Sequence, residues 1–190
     1  MGTQVFFFGG FLASHTDMKV WAGDAASQRN SVDFQAFAWP PGAKSDAHGA
    51  VAGAHNSGSF RKAVKAIEAS SADTIYIVGH SSACAIANAV DRALKDHERI
   101  SLVALDGFAP SGGQRSRSST QVWSAECGDA VARNHKALKE LMGGRLKIFN
   151  ATNCKTAWGL HFSLVNANAD SKTSISNGYK SCRANLCWLA

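Results

Sequence analysis

Short apolar runs alternate along this chain with longer segments in which apolar residues recur every three or four positions. Val5-Phe6-Phe7-Phe8 is the first run, stopped by Gly9-Gly10. Val32-Asp33-Phe34-Gln35-Ala36-Phe37-Ala38-Trp39, Thr74-Ile75-Tyr76-Ile77-Val78 and Ile100-Ser101-Leu102-Val103-Ala104-Leu105 follow, then the shorter Gln121-Val122-Trp123 and Leu146-Lys147-Ile148-Phe149. Runs of this length, rich in β-branched and aromatic residues, fit strands buried on both faces. Between them, Val64 and Ile67, then Ala83, Ile86, Ala87, Val90, Ala93 and Leu94, then Val131, Leu138, Leu141 and Met142 fit the period of an amphipathic helix. Gly143-Gly144 stops the last of these, and 17–28 carries a less regular helical pattern. Strands joined through helices run parallel, with right-handed crossovers. The expectation is an α/β chain: a doubly wound, about six-stranded, mostly parallel sheet with helices on both faces, in a single domain over 1–190. The Gly-, Ala- and His-rich stretch 41–59 reads as an irregular surface excursion beside a site.

Composition narrows the partners. Lysine and arginine exceed aspartate and glutamate by 20 to 14, a net charge of +6. Apart from Arg115-Ser116-Arg117 the basic residues are scattered, so a solvated basic surface is expected rather than a nucleic-acid interface. No run approaches the roughly 18 apolar residues of a membrane span. The five cysteines form no CxxC pair, and Met1-Gly2-Thr3-Gln4 lacks the basic start of a secretory signal. A reduced, cytoplasmic protein is expected, with a Cys182–Cys187 disulfide open to an exported form. The tail 171–190 reads as a final helix.

The sharpest motif is Gly79-His80-Ser81-Ser82-Ala83, between the third strand and the 83–94 helix. A serine on a tight strand-to-helix turn needs small residues two before and two after it, so that strand and helix can pass closely. Such a turn exposes the Ser81 hydroxyl above the sheet edge. It also aims the Ser82 N–H at a developing oxyanion, near the positive end of the helix. Ser82 is the other register for a nucleophile, but Gly79 and Ala83 bracket Ser81.

A serine nucleophile needs a base, and the base an orienting carboxylate. His161 is the histidine beyond the sixth strand, in Trp158-Gly159-Leu160-His161-Phe162-Ser163-Leu164, read as a loop entering a helix. His80 is expected to pack at the turn. His15, His48 and His55 read as loop residues able to line a cleft, and His97 and His135 as solvated helix residues. Asp106, directly after the fourth strand, is the favoured acid, with Glu126 and Asp129 after the fifth as alternatives. Phe8-Gly9-Gly10-Phe11 offers the Phe11 N–H as a second oxyanion donor, at the switch point between first and third strands. No His, Cys and carboxylate spacing suggests a metal, and this chemistry needs no cofactor.

These residues resemble the α/β-hydrolase superfamily in a reduced form that begins at what would be its third strand. More narrowly they are similar to the thioesterase domains of polyketide and nonribosomal peptide synthases. Gly79-His80-Ser81-Ser82-Ala83 matches their nucleophile elbow, Leu102-Val103-Ala104-Leu105-Asp106 with Gly107-Phe108-Ala109-Pro110 their strand-end acid, and Gly159-Leu160-His161-Phe162-Ser163-Leu164 their histidine loop. Ala83 stands where that family has glycine, and the short link from Asp106 to Thr120 leaves no room for its helical lid. The resemblance implies a minimal α/β-hydrolase fold and a serine hydrolase acting on a small-molecule or carrier-bound acyl ester or thioester. It implies Ser81, His161 and Asp106 as the triad, with Phe11 and Ser82 as oxyanion donors. The alternative is a binding module for an anionic partner that keeps the elbow as a structural turn.

Overall fold

The computed structural model describes residues 2–107, 115–127, 145–152, 154–180 and 182–189. Six strands form one sheet: β1 (Thr3–Phe8), β2 (Val32–Phe37), β3 (Thr74–His80), β4 (Ile100–Leu105), β5 (Ser119–Ser124) and β6 (Arg145–Ile148). Their spatial order is β2-β1-β3-β4-β5-β6, and every pairing is parallel. The burial of each strand follows its place. Val5, Phe6, Phe7 and Phe8 of β1 and Ile75, Ile77 and Val78 of β3 are fully enclosed, since both strands have neighbours on each side and helices above and below. The edge strand β6 is instead exposed at Arg145, Lys147 and Ile148 and half-buried at Leu146.

The chain leaves β1 in one direction to form β2 and leaves β3 in the other to form β4. Diverging connections open a crevice at the C-terminal ends of β1 and β3. One face of the sheet carries α4 (Ala83–Ala93), covered in turn by α2 (Ala47–Ser57) and α3 (Ser59–Glu68). On the other face α1 (His15–Gln28) stacks Trp21 on Phe7, with ring centroids 4.0 Å apart. A capping box between Ser14 and Asp17 starts α1.

Several expectations needed correction. The stretch 41–59 is not irregular: Asp46 caps α2 by accepting from the Gly49 N–H, and the buried Ala50 and Ala54 pack it against α4. Alanine serves both faces of a helix, so no periodic pattern marked it. His48 and His55 thus lie on α2, and His15 opens α1, rather than in loops. His97 lies between α4 and β4, half-buried, hydrogen-bonded to Ser118 Oγ at 3.0 Å and to the Leu94 carbonyl at 2.9 Å, and is not a solvated helix residue. Strand β3 runs two residues further than its apolar run, because Gly79 and His80 still pair with Ala104 and Leu105.

The tail forms no helix among its described residues. It packs as successive turns pinned by an Asn166–Ala184 bridge, with Trp188 buried. Cys182 and Cys187 are free thiols. The expected 131–142 helix, Asp129 and His135 lie outside the described residues. Among the described residues no helix is long and apolar enough to cross a membrane.

Candidate active site

Strands β3 and β4 each hand over to a turn residue that still bonds the neighbouring strand. The Ser81 N–H donates to the Leu105 carbonyl at 2.9 Å, and the Asp106 N–H to the Trp123 carbonyl at 2.8 Å. These turns bend sharply: Ser81 has φ 56° and Asp106 φ 46°. A left-handed backbone at a non-glycine residue costs about 1–3 kcal/mol and persists where the surroundings enforce it. At Ser81 the enforcement is visible. A Cβ on Gly79 would come within 2.6 Å of the Ala83 carbonyl oxygen and 2.7 Å of Cys84 Cα, so strand and helix meet here only across glycine. Gly10 is equally constrained, since a Cβ there would lie 2.9 Å from Ser81 Cβ. The β1 loop and the elbow are therefore in direct contact.

His161 is not on a loop, as its sequence suggested, but on a short helix, Ala157–Ser163, capped by the Thr156 hydroxyl accepting from the Gly159 N–H. The ring is 1% exposed. Its Nδ1–H donates to Asp106 Oδ2 at 3.2 Å, while Asp106 Oδ1 accepts from the Ala125 N–H at 2.9 Å. The Cys127 thiol also hydrogen-bonds this carboxylate. Burial by itself pushes the Asp106 carboxyl up, but the bonds from His161, Cys127 and Ala125 outweigh it and hold the group below the usual carboxylate value. Burial, then the Asp106 charge, push the Cys127 thiol up, so it stays a protonated donor. Of the alternative acids, Glu126 is exposed.

Ser81, Ser82, Phe11 and His161 line one cavity of about 240 Å³, so the five residues singled out from the sequence converge, Asp106 through its bond to His161. His15, His48 and His55 do not line it. Sequence reasoning missed Cys127 and Tyr179, because neither carries a local pattern; only their place in space brings them to the site. Among the described residues Asp106, Cys127 and His161 also form one set whose ligand atoms lie within 4.8 Å of one another, a spacing able to hold a metal. Their hydrogen bonds to one another already satisfy those atoms without one.

No protein-family model and no curated protein matches the chain in sequence. Solved structures do match in fold. A candidate hydrolase of the α/β superfamily from Xanthomonas campestris pv. campestris gives a TM-score of 0.53 at 13% identity, over 80% of this chain and 87% of the other. The ydeN gene product of B. subtilis gives 0.51 at 15% identity, over 78% and 86%. Together with the six-stranded parallel sheet, these likenesses give the chain the α/β-hydrolase fold.

Proposed function

We propose that the protein is a serine hydrolase that cleaves a carboxylic ester or thioester. The observation that supports it most is the buried Asp106–His161 hydrogen bond, made through Nδ1, beside a strained Ser81 that lines the same cavity as the ring. With Nδ1 committed to Asp106, the other ring nitrogen remains for the serine proton.

In this reading His161 takes the proton as Ser81 Oγ attacks the acyl carbonyl. The Phe11 and Ser82 N–H groups stabilise the tetrahedral oxyanion, an effect worth about 3–4 kcal/mol per donor in comparable sites. The imidazolium, steadied by Asp106, returns the proton to the departing alcohol or thiol. Water then enters, gives its proton to His161, and attacks the acyl-enzyme; collapse releases the acid and restores Ser81. The wall formed by Trp158, Phe162 and Ile175 is apolar, and the volume is small, which favours a short acyl group. The free substrate is then a small ester or an acyl group presented on a carrier.

Hydrolysis of p-nitrophenyl acetate by the purified protein, lost in Ser81→Ala, tests the reading, together with covalent labelling of Ser81 by a fluorophosphonate. If wild type neither turns over nor takes the label, the elbow is a structural turn and the chain is a binding module.

A further inference from the structure

Tyr179 reaches the crevice from the segment that follows the last helix. That segment is anchored. The Trp21 Nε1–H donates to the Val165 carbonyl at 2.9 Å, the Ala184 N–H donates to Asp24 Oδ2 at 2.7 Å, and Asn166 Nδ2 donates to the Gly178 carbonyl at 3.1 Å. Tyr179 is 3% exposed, and its ring stands edge-on to Phe162 with centroids 5.1 Å apart.

Its hydroxyl accepts from the Gly10 N–H at 2.7 Å and is hydrogen-bonded to His80 Nδ1. The other ring nitrogen, His80 Nε2, lies 3.0 Å from the His161 main-chain oxygen. A carbonyl only accepts, so Nε2 carries the hydrogen and Nδ1 must accept from the tyrosine O–H. The polarity of the whole chain follows: Gly10 N–H to Tyr179, Tyr179 O–H to His80, His80 N–H to His161. His80 is fully enclosed, and burial, then the neighbouring His161, hold its pKa well below the ordinary imidazole value of 6.5, which fits the neutral tautomer.

One hydroxyl thus joins the three pieces of chain that bear the proposed machinery. Gly10 immediately precedes Phe11: the Tyr179 hydroxyl holds the Gly9–Gly10 peptide by its N–H, and the Ala13 N–H, donating to the Gly10 carbonyl at 3.0 Å, holds the next peptide, which carries the Phe11 N–H. An oxyanion donor has to stand 2.7–3.1 Å from the oxygen it stabilises, and a misplacement of about 1 Å costs about a hundredfold in rate.

We propose that Tyr179 and His80 are positioning residues: by holding the Gly10 N–H, the Tyr179 hydroxyl fixes where the loop enters the next peptide, whose Phe11 N–H is the proposed oxyanion donor, and His80 ties this setting to the backbone of His161. The inference rests on Ser81 being the nucleophile. It goes beyond the triad because it gives the tail a role in transition-state stabilisation.

Tyr179→Phe removes one oxygen and keeps the ring. With p-nitrophenyl acetate its kcat should fall tenfold to a hundredfold while KM stays within about twofold. Affinity for an alkyl boronic acid, which forms a tetrahedral adduct on the serine, should fall in parallel. His80→Gln should lose a similar factor, and the double variant should lose little more than either alone, since both cut one chain. A Tyr179→Phe protein that melts as a folded protein and keeps wild-type kcat overturns the inference and leaves the hydrolase standing. So does a raised KM with unchanged kcat, which would make Tyr179 cavity wall only. If Tyr179→Phe does not fold, His80→Gln decides: kcat within twofold of wild type overturns it. If wild type itself shows no turnover and no Ser81 labelling, both readings fall.

Discussion

Two sets of serine, histidine and aspartate side chains meet in this molecule, at opposite rims of the sheet. At the C-terminal rim are Ser81, His161 and Asp106; at the N-terminal rim are Ser118, His97 and Asp91. Both aspartates are fully buried. In the second set, Ser118 Oγ and Asp91 Oδ1 approach the same ring nitrogen, His97 Nδ1, at 3.0 and 3.5 Å, while Nε2 faces the Leu94 carbonyl at 2.9 Å. A serine proton can pass to imidazole only at one nitrogen while the carboxylate steadies the other. Here Nε2 faces a carbonyl and must donate, so Nδ1 of the neutral ring accepts from Ser118 and gives the carboxylate no hydrogen. With the Arg117 N–H donating to Asp91 Oδ2 at 2.7 Å, this set is a brace between the end of α4 and the start of β5. At the other rim Asp106 takes Nδ1 alone, and the serine sits on a strained turn. Residue type makes the two sets alike; nitrogen by nitrogen geometry separates them.

The contrast is sharpest in the serines. Ser81→Ala should lower ester hydrolysis by about 10⁴-fold or more. Ser118→Ala should leave kcat/KM within twofold, because its hydroxyl only supports the brace. Steady-state kinetics on both variants would break the comparison if Ser118 proved the more costly loss.

The aspartates should divide along the same line. Asp106→Asn should cost about 10³–10⁴-fold in kcat, since the amide cannot steady an imidazolium. Asp91→Asn should cost stability rather than chemistry, about 1–3 kcal/mol for the weakened buried bonds, read by denaturant unfolding with activity per folded molecule unchanged. Glu126→Gln should leave the rate within twofold; a large loss there would move the acid off Asp106.

Cys127 sharpens the comparison at the C-terminal rim. Cys127→Ala removes one donor from a buried carboxylate, which should cost about 1 kcal/mol, about a fivefold fall in kcat/KM. Rescue by Cys127→Ser would mark the hydrogen bond rather than the volume as the cause.

The smallest effect concerns acid. His80 has its folded-state pKa pushed down by burial, so below the ordinary 6.5 the unfolded chain takes up a proton that the folded one refuses. Stability is thus complete above pH 6.5 and declines as the pH falls beneath it. Melting temperatures of wild type against His80→Gln between pH 7.5 and 5 should converge as the pH drops. His97, half-exposed in the brace, is left in place by this test.

The periodicity of the chain determined the architecture. Short continuous apolar runs fit strands enclosed on both faces, and helices between them favour parallel pairing, so β4 was legible to the residue and β1 and β3 to within two residues at one end. The elbow was legible for the same local reason: Gly79, Ser81 and the following helix form one turn whose constraints act within five residues. Distance along the chain set the boundary of what could be read. Asp106 could be favoured but not chosen over Glu126, since the choice depends on which carboxylate meets a ring 55 residues later. The α2 helix, hidden by its alanines, the helix under His161, and the thiol of Cys127 and hydroxyl of Tyr179 at the site came only with the tertiary structure. Hydrogen bonds between remote segments leave no period in a sequence. They need only a polar atom at the right point in space, and folding alone brings it there.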